Sequence, residues 1–169
     1  MAKEKLKQSE RDRLVAGVTR PGKADFDELT DVWEKSVRAT HHFLQESDIA
    51  FLRRLVREQY LNQVDLYALR GADNRITAFM GVKDRMLEML FVHPAEIGKG
   101  LGKMLVCYAV ECLGIYRVDV NEQNGRAAGF YEYLGFAVVG RDEKDGLGLP
   151  FPILHLELKR WTEVRIYGL

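Results

Sequence analysis

The spacing of apolar positions divides the chain into helical and extended stretches. Phe26, Leu29, Val32, Trp33 and Val37 recur at the three- and four-residue intervals of one helix face, which makes Trp33 a core residue. Asp25, with Glu28 three residues on, predicts the start of that helix as a pair resembling a capping box. A second helix is expected over Asp48 to Tyr60, capped by Ser47 and turning Phe51, Leu52, Leu55 and Val56 inward. Three extended runs follow: Val64 to Arg70, Arg75 to Val82 and Met86 to Val92. The first two are joined by Gly71-Ala72-Asp73-Asn74, residues suited to a hairpin turn. In the third, a period of two places Glu88, Leu90 and Val92 on one side and Leu87, Met89 and Phe91 on the other. Leu101, Met104, Leu105, Tyr108, Ala109 and Cys112 mark the next helix face, and Gly114 stops that helix.

Ile115 to Val120 then reads as a strand parallel to the one before that helix. A further helix after Asn124, a strand from Phe136 to Arg141, a loop from Asp142 to Pro152 and a last strand from Ile153 to Leu158 complete the pattern. At the start, residues 1–13 lack periodicity and read as a flexible tail. Leu14 to Thr19 reads as a short strand closed by Arg20-Pro21-Gly22. Residues 14–160 are expected to form one domain, with 161–169 as its C-terminal extension, an extra edge strand or an interface.

Composition narrows the class of protein. Lys+Arg and Asp+Glu both number 25, so no net field recruits nucleic acid or a membrane surface. No apolar run is long enough to span a bilayer, and a cytoplasmic location is expected. Cys107 and Cys112 lie five apart in one predicted helix, a spacing for core packing rather than for zinc or a disulfide, and no metal is expected.

The chemistry concentrates at Ile97-Gly98-Lys99-Gly100-Leu101-Gly102-Lys103, between an apolar strand and an amphipathic helix. Alternating glycines let a bulky ligand approach the backbone, and the unpaired N–H groups at a helix start favour an anion. A phosphate or pyrophosphate suits such a turn. A Walker A loop is excluded, because counting back from Gly102-Lys103 puts Ile97 at its first position and Met104 at its last. The dinucleotide fingerprint needs Gly-x-Gly-x-x-Gly, and this turn has Gly-x-Gly-x-Gly.

The turn resembles the acyl-CoA loop of the GNAT superfamily of N-acetyltransferases, Arg/Gln-x-x-Gly-x-Gly/Ala, with Ile97 departing at the first position. A second stretch, Asn124 to Phe136, resembles the same superfamily's Asn-x-x-Ala-x-x-Phe-Tyr-x-x-x-Gly-Phe and matches every specified position. Thr40 to Leu44, Val120 to Asn124 and Pro150 to Pro152 also resemble segments of small stand-alone bacterial members of the YjaB-like type.

The resemblance implies an α/β (α+β) fold: a mixed, mostly antiparallel sheet of about seven strands flanked by about four helices. It also implies a splay between Met86 to Val92 and the strand starting at Ile115. Acetyl-CoA would lie there as cosubstrate, on Leu90, Phe91 and Val92 and on the turn from Ile97 to Lys103 (Gly98, Lys99, Gly100, Leu101 and Gly102 included), with Asn124 alongside. An amine-bearing acceptor would attack the thioester directly, on a monomer or homodimer. Tyr131 matches the superfamily's general acid, which protonates the leaving sulfur. Glu88, an isolated carboxylate in an apolar strand, is the first candidate base, and His41 the second; His155 reads as a satisfied strand histidine. The alternative reading is a non-catalytic acyl-CoA-binding module, which would need no phenol at position 131.

Overall fold

A computed structural model describes residues 8–159. Its elements run α1 (Gln8–Gly17), α2 (Phe26–Thr40), α3 (Glu46–Glu58), β1 (Asp65–Arg70), β2 (Ile76–Lys83), β3 (Met86–Val92), α4 (Leu101–Leu113), β4 (Arg117–Asn121), α5 (Gly125–Tyr133), β5 (Phe136–Asp142) and β6 (Ile153–Leu158). The strands form one sheet in the order β1-β2-β3-β4-β6-β5, antiparallel throughout except for the β3–β4 pair.

Alternation along the strands divides the core in two. Tyr67, Leu69, Ala78 and Met80 face α1, α4 and α5; Leu66, Ala68 and Phe79 face α2 and α3. Helix α2 buries the predicted face, with Phe26, Leu29, Val32, Trp33 and Val37 almost fully covered. Helix α4 lies beneath the sheet, burying Met104, Leu105, Cys107 and Ala109, and ends at Gly114 in the left-handed conformation (φ 67°).

Several expectations are corrected. Part of the expected tail and the expected first strand are one helix, α1, and only Thr19 bridges to β1, exchanging backbone hydrogen bonds with Ala68 at 2.8 and 2.9 Å. Leu14 packs fully buried in the α4-side core, Arg11 and Val18 are partly covered and the positions between are exposed, a three- to four-residue spacing that a helix gives and the period of two of a strand does not. The sheet among the described residues therefore has six strands, with five α-helices around it. The 161–169 extension and residues 1–7 of the tail lie outside the described residues.

The expected Asp25–Glu28 box is also replaced. Asp25 accepts from the Gly22 N–H, while Glu28 turns to β2 and accepts from Arg75 Nε (2.7 Å) and the Ile76 N–H (3.0 Å). Helix α3 starts at Glu46 rather than Asp48, and its Gln45 cap N–H donates to Asp48. Phe51, expected inward, is exposed, and Ile49 takes the buried position.

The correction that shapes the site is in β3. Gly81 opposes Met89 and Val82 opposes Leu87, so Glu88 is an extra residue on β3, a β-bulge. The bulge shifts the side-chain alternation. Leu87 packs with Leu90 and Val92 on the α4 side, whereas Met89 and Phe91 pack on the α2–α3 side. A strict period of two had put Leu87 with Met89 and Phe91.

Candidate active site

Strands β3 and β4 are paired only at Met86–Arg117 and Leu87–Val118. Beyond the bulge they separate, and Leu90 to Val92 have no strand partner on the β4 side. Backbone polar groups left this way need another partner. The opening leads into a cleft of about 390 Å³ walled by β3, the glycine turn and α5.

The glycine turn is formed by conformation as much as by space. Gly98 (φ 88°) and Gly100 (φ 83°) are both left-handed, and a Cβ at either would meet nothing within 4 Å. Gly100 caps α4, and the first turn of the helix carries Leu101, Gly102 and Lys103. Among the described residues no backbone carbonyl accepts from these three N–H groups, the arrangement that favours an anion. Ile97, Gly98, Gly100, Leu101, Gly102 and Lys103 all line the cleft. Lys99 does not; its ammonium pairs with Glu96 at 3.0 Å.

On the opposite wall, the Asn124 side chain caps α5 by accepting from the Ala127 N–H (3.1 Å), as its position in the sequence predicts. That cap orients Tyr131, whose ring packs against Phe130 and Phe136 while lining both the cleft and the splay. Among the described residues nothing hydrogen-bonds to its hydroxyl, and burial raises the phenol pKa, so Tyr131 holds its proton. Tyr133, two residues on, points to solvent at 74% exposure. Arg126, in the first turn of α5, also lines the cleft; sequence reasoning missed it, although its place two residues after a helix cap beside the opening was the available signal.

Two smaller cavities continue from the cleft. One of about 100 Å³ fills the splay, and one of about 220 Å³ lies on the α2–α3 side of β3. Glu88 lines both, and His41 and Phe91 line all three cavities. Glu88 is solvent-exposed, but the surrounding protein partly desolvates it and Asp119 adds a like charge, so its pKa is raised. His41 caps the C-terminus of α2. The single Thr40 hydroxyl proton goes to the Ser36 carbonyl (2.7 Å), so the 2.8 Å contact between Thr40 Oγ1 and His41 Nδ1 is donated by the ring N–H. Nε2 is therefore the unprotonated nitrogen. Burial, with His42 adding to it, lowers the His41 pKa to about 4.

His155 is a satisfied strand residue, its ring nitrogens 2.7 Å from Asp119 and 3.0 Å from Asp142. Among the described residues no group of three or more His, Cys, Asp or Glu is placed to hold a metal ion. No helix among them is long and apolar enough to cross a membrane.

A mixed sheet opened between two parallel strands, with a glycine-cradled helix start at the opening, is the architecture of an acetyltransferase. The model of the Acetyltransferase (GNAT) domain matches residues 56–138. The chain is 36% identical over 143 residues to the peptidyl-lysine N-acetyltransferase YjaB of Salmonella typhimurium, covering 85% of this chain and 98% of that protein. The Escherichia coli YjaB is also 36% identical, over 85% of this chain and 97% of its own length. The solution structure of apo-form YjaB from Escherichia coli superposes with a TM-score of 0.78 at 35% identity, over 84% of this chain and 96% of that one. The fold is shared further with the PaiA N-acetyltransferase of Thermoplasma acidophilum, solved in complex with coenzyme A, at a TM-score of 0.65 and 22% identity over 83% and 97% of the two chains. The chain belongs to the GNAT family and is an acetyl-CoA-dependent N-acetyltransferase.

Proposed function

We propose that the chain transfers the acetyl group of acetyl-CoA to the ε-amine of a lysine held in a polypeptide. The YjaB relatives carry that activity in their names. The observation that carries the reading is the junction at the β3 bulge, where the glycine-lined cleft and the cavity across the sheet share His41 and Phe91, and Glu88 lines that cavity and the splay beside it.

The pyrophosphate fits the first-turn N–H groups of α4, the open space over Gly98 and Gly100, and the cations Lys103 and Arg126 at the cleft wall. Lys99, turned to Glu96, contributes backbone only. The unpaired edge at Leu90, Phe91 and Val92 takes the amide arm, beside Ile97, Leu101, Gly102 and Asn124. The thioester supplies the acetyl group: the amine nitrogen bonds to its carbonyl carbon and the carbon–sulfur bond breaks. A backbone N–H near Leu90 holds the developing oxyanion.

Glu88 takes the amine proton, directly or through water. Relative base strength favours it over His41: the histidine is depressed to about 4, whereas Glu88 is raised above the ordinary carboxylate value. Tyr131 donates to the departing sulfur. Its raised pKa keeps the proton on oxygen and makes sharing it with sulfur, rather than giving it up early, the effective contribution.

The test is thiol release from acetyl-CoA with lysine-containing peptides as acceptors. We expect release that depends on the lysine, and a kcat/KM that climbs with pH as Glu88 ionises, above the usual carboxylate range. Glu88→Gln should lose that acid limb. Release with no peptide overturns the acceptor; an unchanged limb in the variant overturns the base.

A further inference from the structure

The cavity of about 220 Å³ across β3 has aromatic walls, including Trp33, Phe43, Tyr60, Phe91 and Phe151. Phe43, from the loop after α2, meets Phe151, from the loop before β6, at a ring separation of 5.7 Å. Such walls suit the apolar stem of an amine and attract its charge through the ring faces. Two carboxylates line this cavity, and they come from different elements: Glu88 from the β3 bulge and Asp145 from the β5–β6 loop. Among the described residues neither has a Lys, Arg or His within salt-bridge distance.

Glu88 is needed at the reacting amine, and Asp145 is left over. Its position is fixed by the loop: Oδ1 accepts from the Leu147 N–H (2.9 Å) and the Leu149 N–H (2.8 Å), and its own N–H donates to the Leu149 carbonyl (3.1 Å). Its charge is felt inside the cavity, where it adds to burial in raising the Tyr60 phenol pKa. A singly charged acceptor satisfies Glu88 and leaves Asp145, hydrogen-bonded to its own loop, without a cationic partner among the described residues. An acceptor with a second positive charge satisfies both.

On the reading that the acceptor is a lysine in a polypeptide, we infer that Asp145 is a specificity subsite that selects lysines with a basic residue, Lys or Arg, beside them in the chain. Free lysine does not meet the requirement as well, since its carboxylate would face the same acid. The selection acts on binding, so it belongs in KM and not in kcat.

The experiment compares three blocked peptides that share one acceptor lysine and differ in its neighbours, Arg, Ala or Glu, with thiol release as the readout. We expect the Arg-flanked peptide to exceed the Ala-flanked one by about fivefold in kcat/KM, as one partly screened charge pair allows, and the Glu-flanked one to be worst. Raised salt should shrink the spread. Asp145→Asn keeps an oxygen for the Leu147 and Leu149 amides and removes the charge, so it should bring the Arg/Ala ratio close to one. Equal use of the three peptides by the wild-type protein overturns this subsite while leaving peptidyl-lysine acetylation standing, and so does a ratio that survives in Asp145→Asn. Refusal of all three alongside acetylation of a small amine overturns both.

Discussion

The two sides of β3 are built from different materials. The cleft on the glycine-turn side offers backbone groups among its side-chain walls: two left-handed glycines, the unpaired start of α4 and an open strand edge. The cavity on the α2–α3 side is lined by side chains from α2, α3, β3 and two loops. Backbone N–H groups recognise an anion whatever the side chains around them, whereas an aromatic and acidic wall changes with each substitution. The first arrangement suits one invariant cosubstrate and the second a selected acceptor. Glu88 and Tyr131 both line the splay cavity between the two, so substitutions should separate into those that damage the chemistry, those that damage one side and those that only move stability.

Tyr131→Phe should have the largest effect. General acid catalysis is typically worth about 10²–10⁴-fold, and with a phenol whose pKa is raised the lower part of that range is expected in kcat. Affinity for acetyl-CoA should change little, because the ring keeps its contacts with Phe130 and Phe136. Tyr133→Phe is the control, at an exposed position on the same helix. Equal loss in the two variants, or loss in neither, removes the proposed role from Tyr131.

Gly100→Val tests the backbone side alone. Wild-type protein should gain about 2.7 kcal/mol of stability at ligand 100-fold above Kd, read as a rise in Tm with acetyl-CoA or CoA. A β-branched residue at φ 83° is strained by about 1–3 kcal/mol even though its Cβ meets no atom. The turn should therefore rearrange and the ligand-dependent rise should be lost, with the apo protein still folding cooperatively. A rise that survives in full would mean that the anion sits elsewhere. If the variant instead raises KM for the peptide and not for acetyl-CoA, the division between the two sides is wrong.

The same contrast explains what the sequence made legible. The glycine turn and the Asn124–Phe136 segment are contiguous, so their spacing alone carries the geometry. The splay followed from family resemblance and is present as a β3–β4 ladder only two residue pairs long. The cavity on the α2–α3 side was not legible, because Tyr60 lies about 85 residues before the loop that carries Asp145 and Phe151, and they meet only after folding. Nor was the bulge, since a strict period of two cannot contain an extra residue. A signal existed in Gly81, a glycine inside β2, which often marks a bulge. A Cβ there would come within 2.7 Å of Val64 Cγ2. The strand expected over Leu14 to Thr19 failed for another reason: short apolar runs fit helix and strand alike, and one-sided packing of Leu14 decided for helix.

The smallest expected effect is on stability, and it runs opposite to the effect on activity. Folding raises the Glu88 pKa, through desolvation first and then the charge of Asp119. Protons therefore leave the unfolded chain at lower pH than the folded one. The contribution of Glu88 to stability is complete below the unfolded pKa and is lost as pH rises through the folded value. At neutral pH the ionised carboxylate costs stability, and Glu88→Gln removes that cost. His41 has the reverse slope, because its depressed pKa of about 4 costs stability as pH falls. The raw Tm–pH curve of either protein mixes both groups with every other titration, but the difference between wild type and Glu88→Gln cancels all that they share. Glu88 is solvent-accessible, so screening keeps the difference small, on the order of 1–2 °C in Tm at pH 7. It should shrink to nothing in acid below the ordinary carboxylate range. A variant less stable than wild type at pH 7, or a difference that does not change with pH, would show that Glu88 is a structural residue of the bulge and not a base held there against the preference of the fold.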